Sequence, residues 1–359
     1  DRLLAPDPAW SARARWRDAL LLAGTLALQA ISSQYYALYL VFVVGGFILL
    51  RLIQRGPRHF PDRGTWARLL VAGALAALVV LPFALGYLRV QAEYNFTRPI
   101  GENVRYSASV ASFLTAGPQN RLWGPLTAPL RDLGRYSPER DLFVGAAALL
   151  LALLGLATAW RRPLVQYLAL LGAGSALLAF GPGLYLTGDP ASAILGPLPY
   201  HYLYLHLPGF DSMRVPARLG VLYGLSVAAL AGLGLTWLLA RLAAPPRQGT
   251  ADPAPAPRRR TAARWVLAAA VLGALGVEYA NVAIPLSPLE SGASVPPVYR
   301  WLATQPSGVV AELPFHAKRD IENNRYQYFS LFHRQRTVNG SADIVPTGYR
   351  SLTEELYRG

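Results

Sequence analysis

Apolar residues run along this chain in long, almost uncharged blocks, and the polar residues collect between them. Blocks at 19–33, 36–53, 69–88, 142–160, 164–181, 216–242 and 265–285 stand out. A helix crosses a hydrocarbon core about 30 Å thick with roughly 20 apolar residues. Each block therefore predicts a membrane-spanning helix. The first two form one uncharged run over 19–50, interrupted by Ser32, Ser33, Gln34, Tyr35 and Tyr36. That run is too long for one crossing and reads as two helices joined by a polar turn. Pro82 predicts a kink in the third block, and Arg161-Arg162-Pro163 predicts a tight turn between the fourth and fifth.

The gaps have their own character. The loop 89–141 is long, with a surface helix predicted over 106–114, and the loop 182–215 is rich in Tyr, Pro, Leu and His. Residues 243–260 hold five prolines and an Arg258-Arg259-Arg260 run, the composition of a flexible linker. From 286 the pattern changes. A buried strand is predicted over 308–314, a helix over 325–332, a strand over 336–340 and a helix over 349–357. The fold class is thus an all-α integral membrane bundle of about seven transmembrane helices over 1–285. A small α/β tail over 286–359 follows it, and that tail reads as truncated because it stops inside its last helix.

Charge gives the bundle a direction. With the N-terminus inside, the inner segments 1–18, 51–68, 161–162 and 241–264 hold 17 Lys+Arg against 5 acids. The remaining 17 basic residues are spread over far longer stretches with 15 acids. Positive-inside bias therefore predicts a multi-pass plasma-membrane protein with a cytoplasmic N-terminus and an extracytoplasmic tail. Composition agrees: 53% of residues are hydrophobic and only 15% are charged, where soluble domains carry about 25% charge. There is no cysteine, which removes disulfides and thiolate metal sites. The one methionine is Met213 and the chain begins at Asp1, so it reads as a fragment or a processed product.

Candidate chemistry gathers on the side read as outer. Arg214 and Arg218 lie one helical turn apart around Pro216, within Leu207-Pro-Gly-Phe-Asp-Ser-Met-Arg-Val-Pro-Ala-Arg218. Proline suits a helix start, and two guanidinium groups there either hold a phosphate or snorkel to headgroups and pair with Asp211. Gln34, Tyr35 and Tyr36 either receive a sugar or form an aromatic belt. Glu102 and Arg105 either line a polar site or cap the helix predicted over 106–114. Glu278 is the one carboxylate inside a block, facing either a partner or the interface. His201 and His206 are a weak metal signal, so no metal and no cofactor is expected. Gly232 and Gly234, like Gly220 and Gly224, suit close helix packing. No G-x-S-x-G, Walker loop or H-E-x-x-H occurs. Asn95 and Asn339 begin glycosylation sequons, set aside because the Arg/Ala/Leu-rich composition is of a bacterial cast.

Several stretches carry a resemblance. They are SQYYALYL from Ser33, ENVRYSA from Glu102, NRLWGPL from Asn120, ERDLFVGAAALLLALLGL from Glu139, LLAFGPG from Leu177, LPGFDSMRVPAR from Leu207, WLATQPSGVVAELPF from Trp301 and TVNGSADIVP from Thr337. Together the chain resembles the C-terminal portion of large bacterial membrane proteins of the GT-C glycosyltransferase superfamily, including the YfhO-like type. The resemblance implies transfer of a sugar from a polyprenyl-phosphate donor to an extracytoplasmic cell-envelope acceptor. Its partners would be membrane lipid and the polyprenyl-phosphate-linked sugar, with no nucleic acid. It also implies an essential acid in the first outer loop. The turn 32–36 holds none, so that residue is expected upstream of Asp1 and no catalytic residue is assigned. The rival reading is a non-catalytic transporter or scaffold for envelope polysaccharide or lipid.

Overall fold

The computed structural model describes residues 4, 11–56, 61–94, 98–131, 133, 137–243, 257–286, 288–314, 321–341, 348, 349, 351, 352 and 355. Helices dominate: α1 (Ala12–Ser32), α2 (Gln34–Arg55), α3 (Arg63–Tyr94), α4 (Ile100–Arg105), α5 (Trp123–Arg131), α6 (Ala146–Ala159), α7 (Pro163–Ala179), α8 (Pro199–His206), α9 (Gly220–Ala243), α10 (Pro257–Glu278), α11 (Pro297–Leu302) and α12 (Ile321–His333). Four short strands complete the list: β1 (Leu184–Tyr185), β2 (Ala193–Leu195), β3 (Val309–Val310) and β4 (Arg336–Thr337). The chain divides into two compact units, one of residues 1–88 with 97–283 and one of 89–96 with 284–359.

Among the described residues, four helices are long and apolar enough to cross a membrane: Tyr35–Arg55, Arg63–Tyr94, Pro216–Leu242 and Thr261–Glu278. Their side chains are mostly exposed, as a lipid-facing surface requires. This corrects the expected count of seven. Helix α6 has 14 residues and α7 has 17. Helix α1 spends its first turns on Arg13, Arg15, Arg17 and Asp18, which shortens its uncharged part. At 1.5 Å per residue, α6 covers only about 21 Å.

The polar break near residue 32 is narrower than a turn. Ser33 alone is extended, at φ −163° and ψ 126°, and α2 starts at Gln34. The Arg55 guanidinium donates to the Leu4 carbonyl, which brings the start of the chain back beside the end of α2. Helix α3 continues through Pro82. Helix α10 begins at Pro257, eight residues before the predicted start, while 244–256 of the predicted linker lie outside the described residues.

Two larger cores and a small alanine contact between α1 and α3, at Ala19, Ala23 and Ala72, hold the larger unit. In one core, α6, α7 and α9 meet around Ala148, Ala152, Val165, Leu168, Val227 and Leu230. Gly155 and Gly234 let the backbones touch: a Cβ at Gly155 would stand 2.1 Å from the Leu230 carbonyl oxygen. The Cβ of an alanine at 234 would stand 2.0 Å from the carbonyl oxygen of Leu151. Gly232, singled out with it, faces open space. Glu278 closes the start of α6, accepting from Ala146 N–H at 2.9 Å and Ala147 N–H at 3.0 Å. Its partner is therefore a helix N-terminus, where backbone donors and dipole favour an anion. Nearby, the Asn120 side-chain amide donates to the Glu278 carbonyl and Asn120 bridges to Asn281.

The second core binds the long loops to the ends of α2, α7 and α9, through Tyr39, Ala108, Ala179, Tyr200, Phe210, Met213, Val215, Ala217 and Leu219. The surface helix predicted over 106–114 is absent there. Only Ala111–Leu114 forms a turn of 3-10 helix, and Ser107, Ala108, Ser109, Ala111 and Ser112 are buried. Serine side chains offer the backbone an alternative to a helix. Ser109 N–H donates to Ser112 Oγ, and Ser107 Oγ donates to the Asn103 carbonyl. Ala108 N–H is thereby free for the Ala179 carbonyl and Val110 N–H for the Tyr185 carbonyl.

In the smaller unit, β3 and β4 pair in parallel, Val309 with Arg336 and Val310 with Thr337, and α12 is the crossover between them. The strands lie side by side, as the tail pattern implies. Neither reaches its predicted length, and Val309 is 61% exposed rather than buried. The apolar centre lies between α11 and α12 instead, on Val295, Tyr299 and Phe329. Tyr299 and Phe329 stack with centroids 4.2 Å apart. Asn339, in the second sequon, is 2% exposed and donates to the Glu312 carbonyl. The first sequon and most of the helix predicted over 349–357 lie outside the described residues.

Candidate functional site

The chain from Phe210 to Leu219 decides the site. Buried Met213, Val215, Pro216 and Ala217 anchor it in the loop core, and Ala217 N–H donates to the Tyr106 carbonyl at 3.2 Å. Pro216 opens a 3-10 turn, Pro216–Leu219, that runs into α9 at Gly220. Arg214 thus precedes the helical turn and Arg218 lies within it. With the backbone fixed on both sides, each guanidinium group has limited choice of direction.

Arg214 N–H donates to the Tyr35 hydroxyl at 3.1 Å, while its guanidinium carbon lies 4.7 Å from the centre of the Tyr106 ring. The same side chain reaches the Glu102 carboxylate at 3.9 Å. Glu102 also accepts from Arg98 at 3.1 Å, an i,i+4 pair spanning the start of α4. It therefore sits in the first turn of α4 and does not cap a helix over 106–114. Arg218 stands 4.6 Å over the Tyr35 ring and donates to Glu139 Oε1 at 2.6 Å. Charge and aromatic faces alternate around the cluster, an arrangement in which guanidinium groups gain from both carboxylate and ring.

Of the sequence-derived candidates, Arg214, Arg218, Tyr35 and Glu102 come together. Arg105 is exposed, with its guanidinium 5.6 Å from the Tyr106 ring on the chain beside it. Tyr36 turns instead toward Tyr39, edge to face at 5.9 Å. Gln34 begins α2, but its side chain lies outside the described set. Glu139, Tyr106 and Arg98 were not singled out. Arg98 four residues before Glu102 is a helical ion-pair spacing and was readable. Glu139, 79 positions from Arg218, left no local signal. Among the described residues no group of three His, Asp or Glu could hold a metal ion.

Beneath this cluster an apolar groove of about 340 Å³ runs between α2 and α7 and reaches the start of α9. One face of α2 lines it with Tyr39, Phe42, Gly46, Leu49 and Ile53, and the facing side of α7 supplies Leu170, Leu171, Gly174 and Leu178. From Tyr39 to Ile53 the helix face measures about 21 Å. Tyr35 lies one turn before Tyr39 on that face, so the guanidinium of Arg218 sits a turn beyond the end of the groove. At the far end, Gln54 donates to Gln166 at 2.7 Å, and Tyr167 donates to the Val43 carbonyl at 2.6 Å one turn past Tyr39; both tie α2 to α7. Outside the membrane-spanning helices, burial pushes the Tyr200 phenol well above its ordinary pKa and lowers the Arg140 guanidinium.

No family model matches the chain, and no curated protein and no solved structure matches it.

Proposed function

We propose that this protein is a membrane glycosyltransferase of the GT-C kind, moving a sugar from a polyprenyl-phosphate donor to an extracytoplasmic cell-envelope acceptor. One observation carries the reading: Arg218 stands over Tyr35, one helical turn before the apolar groove between α2 and α7, and the Arg214 backbone is bonded to the same tyrosine. An amphiphile with an anionic head and one long chain matches that pairing, chain along α2 and α7, phosphate at Arg214 and Arg218. As the glycosidic bond breaks, charge builds on the departing phosphate, and preorganised cations lower the barrier where it builds. Tyr35 and Tyr106 then offer ring faces to the sugar. Glu102 and Glu139 already face arginines and balance charge in this reading, rather than taking the acceptor's proton.

Arg214→Ala and Arg218→Ala in the full-length protein should each lower transfer at least tenfold with membrane insertion intact. Lysine should rescue only in part, because it lacks the bidentate fork. A double alanine variant with unchanged transfer would favour the transporter or scaffold, which needs the groove but no leaving-group stabilisation.

The same reading takes its orientation from the charge bias over the loops. The N-terminus is then cytoplasmic and the tail extracytoplasmic, in the plasma membrane. Single cysteines at Gln248 and Gly340 should react from opposite sides of intact cells. Labelling of both from outside would overturn the orientation.

A further inference from the structure

Tyr39, Phe210 and Leu219 belong both to the groove and to the loop core beneath the arginines, and of the three Tyr39 alone carries a polar side-chain atom. It lines the groove, is 1% exposed and packs in the core with Tyr200, Phe210 and Leu219. Tyr35 and Tyr36 pack against the same core, and Arg218 is near enough to act on its hydroxyl electrostatically. Yet that hydroxyl, sealed from solvent, has no hydrogen-bond partner among the described residues. Buried hydroxyl groups are nearly always bonded, and an orphan calls for an explanation. Phenylalanine would fill the same space without the unmet bond.

We propose that the Tyr39 hydroxyl donates to a non-bridging phosphate oxygen of the lipid in the groove, completing with Arg218 the receptor for its head. This rests on the groove holding a lipid phosphate, as proposed above. The placement favours the contact: Tyr39 lines the groove one helical turn after Tyr35, over which Arg218 stands, so a chain lying along α2 toward Arg218 passes Tyr39. At that point a phosphate oxygen supplies the acceptor that the protein withholds. Tyr39 then acts as a selector. It rewards a lipid whose first polar group is an anion at the groove's end, and leaves a neutral prenyl alcohol without that gain.

Binding of a long-chain polyprenyl monophosphate and of the matching polyprenol should be measured on the full chain in nanodiscs, wild type against Tyr39→Phe. A hydrogen bond to a charged group predicts about tenfold weaker phosphate binding in the variant, with polyprenol binding unchanged within about twofold. Thermal stability of the variant should equal or exceed that of the wild type, since the substitution removes an unmet donor. Equal losses for both lipids would mean that Tyr39 only shapes the groove. Unchanged phosphate binding would overturn the contact, and with lowered stability would assign the hydroxyl to a buried water instead. If the wild type binds neither lipid, the reading of the groove fails as well; if it binds the phosphate and the variant binds it equally, this inference alone falls.

Discussion

Two helix seams in the larger unit use glycine in opposite ways. Between α6 and α9, Gly155 and Gly234 bring backbones so close that no Cβ fits. Between α2 and α7, Gly46 and Gly174 have nothing within 4 Å of where a Cβ would stand, and the space beside them is the groove. Without water to drive helices together, contact in a bilayer rests on van der Waals packing and on small residues that permit it. The first seam takes that gain in full. The second forgoes it over several turns, held by Gln54 with Gln166 at one end and by Tyr167 on the Val43 carbonyl along its length. A packed seam is structure; a seam held open leaves room for the lipid chain proposed above.

The sharpest way to break this contrast is to put volume into the closed seam. Gly234→Val should separate α6 from α9, because the obstacle is the Leu151 carbonyl oxygen, which cannot turn aside. Overpacking of ordinary cores costs about 1–3 kcal/mol, and a backbone obstacle lies at or beyond the upper end. The expected outcome is a large fall in thermal stability in detergent. Gly232→Val, two residues away and facing open space, is the control and should change little. Equal behaviour of the two variants would mean that the seam is not close-packed.

The same contrast shows what could be read along the chain. The apolar blocks and the polar interruption near Ser33 are local patterns, and the helices follow them. Fewer helices are long enough to cross than the blocks imply because an apolar block need not be helical to its ends: Leu142 to Gly145 precede α6, and Phe180 and Gly181 follow α7. Which glycines would touch was not legible either. Gly232 and Gly234 look alike in sequence, yet they project to different sides of α9, and only the position of α6 separates them. The serine-rich stretch 106–114 matched a helical period, but its side chains bind the local backbone and its N–H groups serve neighbouring segments. Around the arginines, the pairing of Arg98 with Glu102 follows from spacing, whereas Glu139 beside Arg218 depends on two distant turns meeting. Glu278 was visible as a carboxylate in an apolar block; its partner, the start of α6, was not.

The converse substitution fills the open seam and separates stability from binding. Gly46→Leu and Gly174→Leu each start a side chain from a Cβ with no atom within 4 Å, and the rest of it has the groove to extend into. Replacing glycine inside a helix by leucine also favours the helical backbone, by up to about 1 kcal/mol for each position. The double variant should therefore be as stable as the wild type, or slightly more so, the smallest change in stability expected here. Its groove, however, would lose volume on both walls midway between Tyr39 and Ile53, blocking a chain that enters from the arginine end. Binding of a polyprenyl phosphate should fall at least tenfold, while a short water-soluble phosphate, which needs only Arg214 and Arg218, should be unaffected. Unimpaired binding of the long-chain lipid by the filled variant would show that the chain runs elsewhere, and the open seam would then need another occupant to explain it.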